Sequence, residues 1–132
     1  MKYSNKNNNY NLSFQILKKW CEQNDLNIIL KPKIENFVLF ENIFINKNLS
    51  YKHKFFILMH EIGHFINIKN NLENYSKNKK NNKTLILLNE VYAWDKGIEL
   101  CKSLNIDFLE NDFYYYKHKY LTNYLEFISK NE

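Results

Sequence analysis

The chain has 132 residues, 45% hydrophobic and 17% aromatic, with a formal charge of +5. That size and apolar content fit one folded domain, and exclude a disordered tail, a collagen-like rod and a disulfide miniprotein. One Pro and two Gly argue against a loop-rich or all-β fold, and no apolar run approaches the roughly 20 residues that span a bilayer.

Every basic residue is Lys, and Asn, Ile, Tyr and Phe are plentiful, the imprint of a low-GC coding sequence. The charge is localised. Residues 69–83 hold Lys69, Lys77, Lys79, Lys80 and Lys83 against Glu73, so the rest of the chain is nearly neutral. Without Arg the chain lacks the bidentate fork used to clamp phosphates and read bases, so direct nucleic-acid binding is not expected. A phosphate tether made of residues 69–83 is the rival reading of that segment; a solvated loop is the plainer one.

Residues 1–10 are polar and Asn-rich and read as a flexible N-terminus, with 11–132 forming the domain. No apolar h-region follows Met1, so no secretory signal is expected and the protein reads as cytoplasmic. Leu12, Ile16, Leu17 and Trp20 repeat at helical spacing and predict a helix over 11–24. Ile28 to Lys31, Phe37 to Phe40 and Ile43 to Ile45 are rich in strand formers. The gaps between them suit hairpin turns, which predicts a three-stranded antiparallel sheet. Such a sheet needs a helix to cover it.

Ser50 stands where an N-cap would, and Phe55, Phe56, Leu58, Met59, Ile62, Phe65 and Ile66 predict a helix to about Ile68. Thr84 to Leu104 is helical again. Asp107 and Glu110 have capping-box spacing before a last helix, which carries Phe113, Tyr116, Tyr120, Leu121, Tyr124 and Phe127. The order is α-β-β-β-α-α-α. Cys21 and Cys101 match no metal or redox spacing and read as small buried residues in a reducing compartment.

The second helix contains His60-Glu61-Ile62-Gly63-His64. Residues four apart on a helix share a face, so both imidazoles can reach one zinc ion. Glu61 lies beside them, where it can hold the attacking water and take its proton. Gly63 costs roughly 1 kcal/mol in a helix interior, which points to close backbone approach by a neighbour. A catalytic zinc site needs a third protein donor, and Glu73, Glu90, Asp95, Glu99 and His118 lie downstream. Glu90 shares a helix face with Ala93, Trp94 and Gly97. The small Ala93 and Gly97 let that helix lie close to Gly63 and aim Glu90 at the metal. Asp95 and His118 are the alternatives. His118 or Tyr92 is a candidate donor to the developing oxyanion. Asp95 is a candidate to orient a ligating imidazole, and His53, seven residues before His60 and roughly on its face, reads as a solvated residue near a helix start, with a ring contact near the site as the alternative.

His60-Glu61-Ile62-Gly63-His64 followed by Glu90-Val91-Tyr92-Ala93 resembles the ImmA/IrrE family of zinc metallopeptidases, small gluzincin-like proteins of phages and mobile elements. Phe44 to Ser50 is similar to the strand and turn before that family's active-site helix, and the resemblance extends over roughly residues 12–104. It implies a zincin core, Zn2+ held by His60, His64 and Glu90, and Glu61 as general base. It also implies cleavage of a protein partner such as a DNA-binding repressor or an antitoxin-like protein. Trp94-Asp95-Lys96-Gly97 departs from the small and apolar continuation expected of repressor-cleaving members.

The expectation is therefore a single zincin-like α+β domain, a cytoplasmic zinc metallo-endopeptidase without a membrane partner. The alternative is a zincin-fold inhibitor that sequesters a partner without cutting it. The intact Glu61 argues against the alternative, because a structural zinc site needs no base.

Overall fold

The computed structural model describes residues 6–32, 36–39, 41–70 and 83–130. In chain order its elements are α1 (Lys6–Gln23), β1 (Asn27–Lys31), β2 (Phe37–Leu39), β3 (Asn42–Asn46), α2 (Tyr51–Lys69), α3 (Lys83–Ser103) and α4 (Glu110–Lys130). This is the α+β order the sequence predicts. Most of the basic 69–83 segment, residues 71–82, lies outside the described residues, and so do residues 1–5.

The Ser50 side chain accepts the His53 backbone N–H at 3.1 Å, so the predicted cap starts α2. Residues 55–64 of this helix are all buried. A helix buried on every side must be covered on every side. α1, the sheet, α3 and α4 all pack on it, so its polar residues sit inside the domain.

The sheet corrects the antiparallel expectation. β3 is central, and β1 pairs with it in parallel, Ile28 opposite Ile43; β2 pairs with it antiparallel, Val38 opposite Ile43. β2 and β3 form the expected tight hairpin. β1 and β2 instead stand at opposite edges, although only residues 32–36 separate them in sequence. A link of that length can span the roughly 10 Å of two strand spacings. The burial of β1 and β3 agrees with this order. Ile43 and Ile45 of the central β3 are fully buried, whereas Leu30 and Lys31 of β1 are exposed at an edge.

α1 begins at Lys6, so the predicted flexible segment 1–10 is helical from residue 6 onward. Tyr10 is the reason. Its ring is fully buried, with centroids 5.5 Å from both Phe55 and Phe56. Its hydroxyl donates to Asp112 Oδ2 at 2.8 Å and accepts the Leu109 N–H at 3.0 Å. That hydroxyl thus satisfies the start of α4, and the expected Asp107–Glu110 capping box does not form. The buried face of α1 is Tyr10, Phe14, Leu17 and Cys21, while Leu12 and Ile16 are exposed.

Asp25 and Asn105 carry positive φ, 60° and 55°, just past α1 and α3. In both places the next apolar residue turns back: Leu26 N–H bonds Cys21 O at 2.8 Å and Ile106 N–H bonds Cys101 O at 3.0 Å. These are Schellman ends in which Asp and Asn do what glycine usually does. Both glycines are used elsewhere, between α2 and α3. Cys21 and Cys101 are free and buried, as expected, and burial pushes the Cys21 thiol up to about 12 and raises Cys101 as well.

Candidate metal centre

The centre is built where α2 meets α3. A Cβ on Gly63 would run into the Ala93 carbonyl oxygen and lie 2.7 Å from its carbon. One on Gly97 would strike the Met59 carbonyl and lie 2.7 Å from Met59 Cγ. Gly63, Ala93 and Gly97 therefore let two backbones touch. Glu90 lies one turn before Ala93, so the touch carries its carboxylate over the α2 histidines.

The donors converge. His60 Nε2 and His64 Nε2 are 3.1 Å apart. Glu90 Oε1 is 3.2 Å from the first and Oε2 is 2.9 Å from the second. Among the described residues these three form the one group of His, Cys, Asp and Glu whose ligand atoms all lie within 4.8 Å of one another. Lone pairs of two imidazoles and a carboxylate aimed at one point require a cation or protons between them. Donors about 2.0–2.1 Å from a tetrahedral zinc stand about 3.3 Å apart, close to the spacing seen. Two nitrogens and a carboxylate are also a donor set zinc takes in catalytic sites. The residues fit the ion.

Burial works to raise the Glu90 carboxyl. Hydrogen bonds from His60 and His64, and their charge, outweigh it and hold the group well below the usual carboxylate range. His60, Glu61 and His64 are only 7%, 5% and 7% exposed. The Glu90 side chain is the most open of the set, which places the solvent-facing side of the centre toward α3. Glu61 Oε2 lies 3.7 Å from His60 Nδ1, an electrostatic contact rather than a hydrogen bond. Trp94 closes one side of the centre, its ring stacked on His60 at 4.5 Å and 15°.

The profile of the IrrE N-terminal-like domain, peptidase family M78, matches residues 22–88. The chain belongs to this family. No curated protein and no solved structure matches it. The match to the IrrE N-terminal-like domain covers β1 through α2, with His60, Glu61 and His64, and stops two residues short of Glu90. Glu90's place in the centre therefore rests on the α2–α3 contact. In this family member the other acidic candidates lie elsewhere. Asp95 is exposed and paired with Lys117 at 3.2 Å, so it orients no imidazole. Glu99 is exposed beside Lys96, and Glu73 lies outside the described residues.

Neither expected oxyanion partner reaches the centre. Tyr92 is 52% exposed and lines a groove with Asn67, Asp95, Lys96 and Glu99. Two positions beyond Glu90, it points to a different side of α3. His118 is exposed on the outer face of α4, among Tyr114, Tyr115, Lys117 and Leu121. A polar pair, His53 with Tyr120, borders this region through Trp94. His53 Nε2 is 2.6 Å from the Tyr120 hydroxyl, and its ring lies 5.0 Å from that of Tyr116. Tyr120 lies 6.1 Å from Trp94, ring to ring. Burial, then the charges of Tyr116 and Glu61, push its phenol up to about 12. The sequence signal for this pair is the seven-residue interval from His53 to His60, two helical turns along one ridge.

Proposed function

We propose that this chain is a zinc-dependent metallo-endopeptidase that hydrolyses a peptide bond in a protein substrate. The observation that carries it is the meeting of His60 Nε2, His64 Nε2 and the Glu90 carboxylate at one point, within 4.8 Å of one another, with Glu61 beside them. Family membership supports a peptidase, and the mixed nitrogen and oxygen donor set supports zinc.

When bound, the zinc ion polarises the scissile carbonyl and makes water acidic enough to lose a proton near neutral pH. The rest belongs to the chain. His60, His64 and Glu90 would hold the ion. Glu61 accepts one proton from the attacking water at a carboxylate oxygen. It then gives that proton to the departing amine nitrogen as the C–N bond breaks. Burial of Glu61 keeps bulk water from competing for that proton.

The substrate class follows the family resemblance: a regulatory protein of a phage or mobile element, such as a DNA-binding repressor. A cytoplasmic setting suits such a substrate. No helix among the described residues is long and apolar enough to cross a membrane.

The test is a proteome-derived peptide library incubated with the zinc-loaded chain and read by mass spectrometry. Wild type should cut, a chelator should stop it, and added zinc should restore it. Glu61→Gln should retain zinc and lose about 10²–10⁴-fold in rate. Cleavage by Glu61→Gln at the wild-type rate would sink the mechanism. A partner bound tightly and left uncut would favour the inhibitor reading instead.

A further inference from the structure

The scissile carbonyl oxygen gains negative charge as its carbon becomes tetrahedral, and a preorganised hydrogen-bond donor beside it stabilises that charge. With no Arg in the chain, a side-chain donor would be a His, Tyr or Lys. The two residues singled out by sequence, Tyr92 and His118, face away from the centre. We propose that Tyr120, oriented by His53, donates a hydrogen bond to the scissile carbonyl oxygen as it gains negative charge. This assignment rests on the peptidase reading above.

Three observations carry it. First, position: His53 stands on the same ridge of α2 as His60 and His64, and α4 brings Tyr120 onto it. Tyr120 is near enough to Glu61 to feel its charge, and its ring adjoins Trp94, which stacks on His60. Second, protonation: burial and the neighbouring charges keep the phenol a donor at neutral pH. Burial, then the charge of Lys119, lowers His53, which favours its neutral ring. Third, direction: the 2.6 Å contact holds a single proton on its line. If His53 Nε2–H donates to the phenol oxygen, the Tyr120 proton is left free for another acceptor. His53 is then a positioning residue and Tyr120 the catalytic one.

The plainer role for the pair is a staple between α2 and α4. The two roles separate experimentally. In the zinc-loaded enzyme, Tyr120→Phe should lower kcat by about 10²–10³-fold with KM and zinc content unchanged. His53→Leu should also lower kcat, and His53→Gln, whose amide N–H replaces Nε2–H, should restore much of it. Tyr92→Phe and His118→Ala should match wild type. Independently of turnover, ¹⁵N NMR of the zinc-loaded protein should show His53 protonated at Nε2. A wild-type kcat in Tyr120→Phe, or an unprotonated Nε2, would overturn the assignment while leaving the peptidase reading standing. Failure of the wild type itself to cut any peptide would remove that reading and this one together.

Discussion

Gly63→Ala should push α2 and α3 apart and disable the metal centre. The new Cβ would meet backbone, the Ala93 carbonyl group, rather than a side chain that could swing aside. Overpacking of this kind costs about 1–3 kcal/mol, more where backbone must move. Alanine's better helix propensity returns about 1 kcal/mol, so the balance is destabilising. The functional effect should exceed the stability effect. Glu90 rides on the same turn of α3 as Ala93, and its 2.9 and 3.2 Å contacts with the histidines depend on that separation. We expect a lowered melting temperature, and a loss of metal larger than the fraction unfolded can explain. A variant that melts like wild type and binds metal equally well would show that the helices have slack there.

Trp94→Ala should be the most destabilising single substitution in α3. Trp94 is fully buried, and removing a buried Trp costs about 3–5 kcal/mol. One term opposes this. Among the described residues, Trp94 Nε1 is the only buried side-chain nitrogen or oxygen without a hydrogen-bond partner. An unsatisfied donor costs about 1–3 kcal/mol, so the native indole already carries a penalty. Packing still wins, because the ring also lies against His60, Phe113 and Tyr120. Trp94→Phe separates the terms: it keeps an aromatic face for His60 and deletes the orphan N–H. Denaturant melts should rank Trp94→Ala well below Trp94→Phe, with zinc affinity following the same order. Equal losses in the two variants would mean that stacking on His60 contributes nothing.

Much of the fold and of the metal centre is legible in the amino-acid sequence, and the reasons are local. Ser50 and the apolar run after it mark the start of α2 because capping is a short-range interaction. Gly63 and Gly97, with the small Ala93, point to a close helix pair, since each glycine in a helix interior costs about 1 kcal/mol relative to alanine. That pairing singles out Glu90 from five candidate donors.

What the sequence leaves open is long-range. The parallel pairing of β1 with β3 joins strands that are not consecutive in sequence, and connection lengths alone suit a hairpin equally well. Tyr10 stands alone in an Asn-rich run, and nothing nearby in sequence shows that its hydroxyl caps a helix about a hundred residues later. Tyr120 reads as part of an apolar face. Its hydroxyl's partner depends on how α4 crosses α2, which periodicity does not encode. Tyr92 and His118 stand out for their chemistry and their neighbours in sequence, but the turn of each helix directs them outward.

The most direct test of the account is elemental analysis of the chain purified without chelator, beside His60→Ala and Glu90→Ala. The account predicts about one zinc per wild-type chain and a marked loss in both variants, as three protein ligands require. A folded wild type that takes up no zinc, or a Glu90→Ala variant that keeps a full complement, would contradict it.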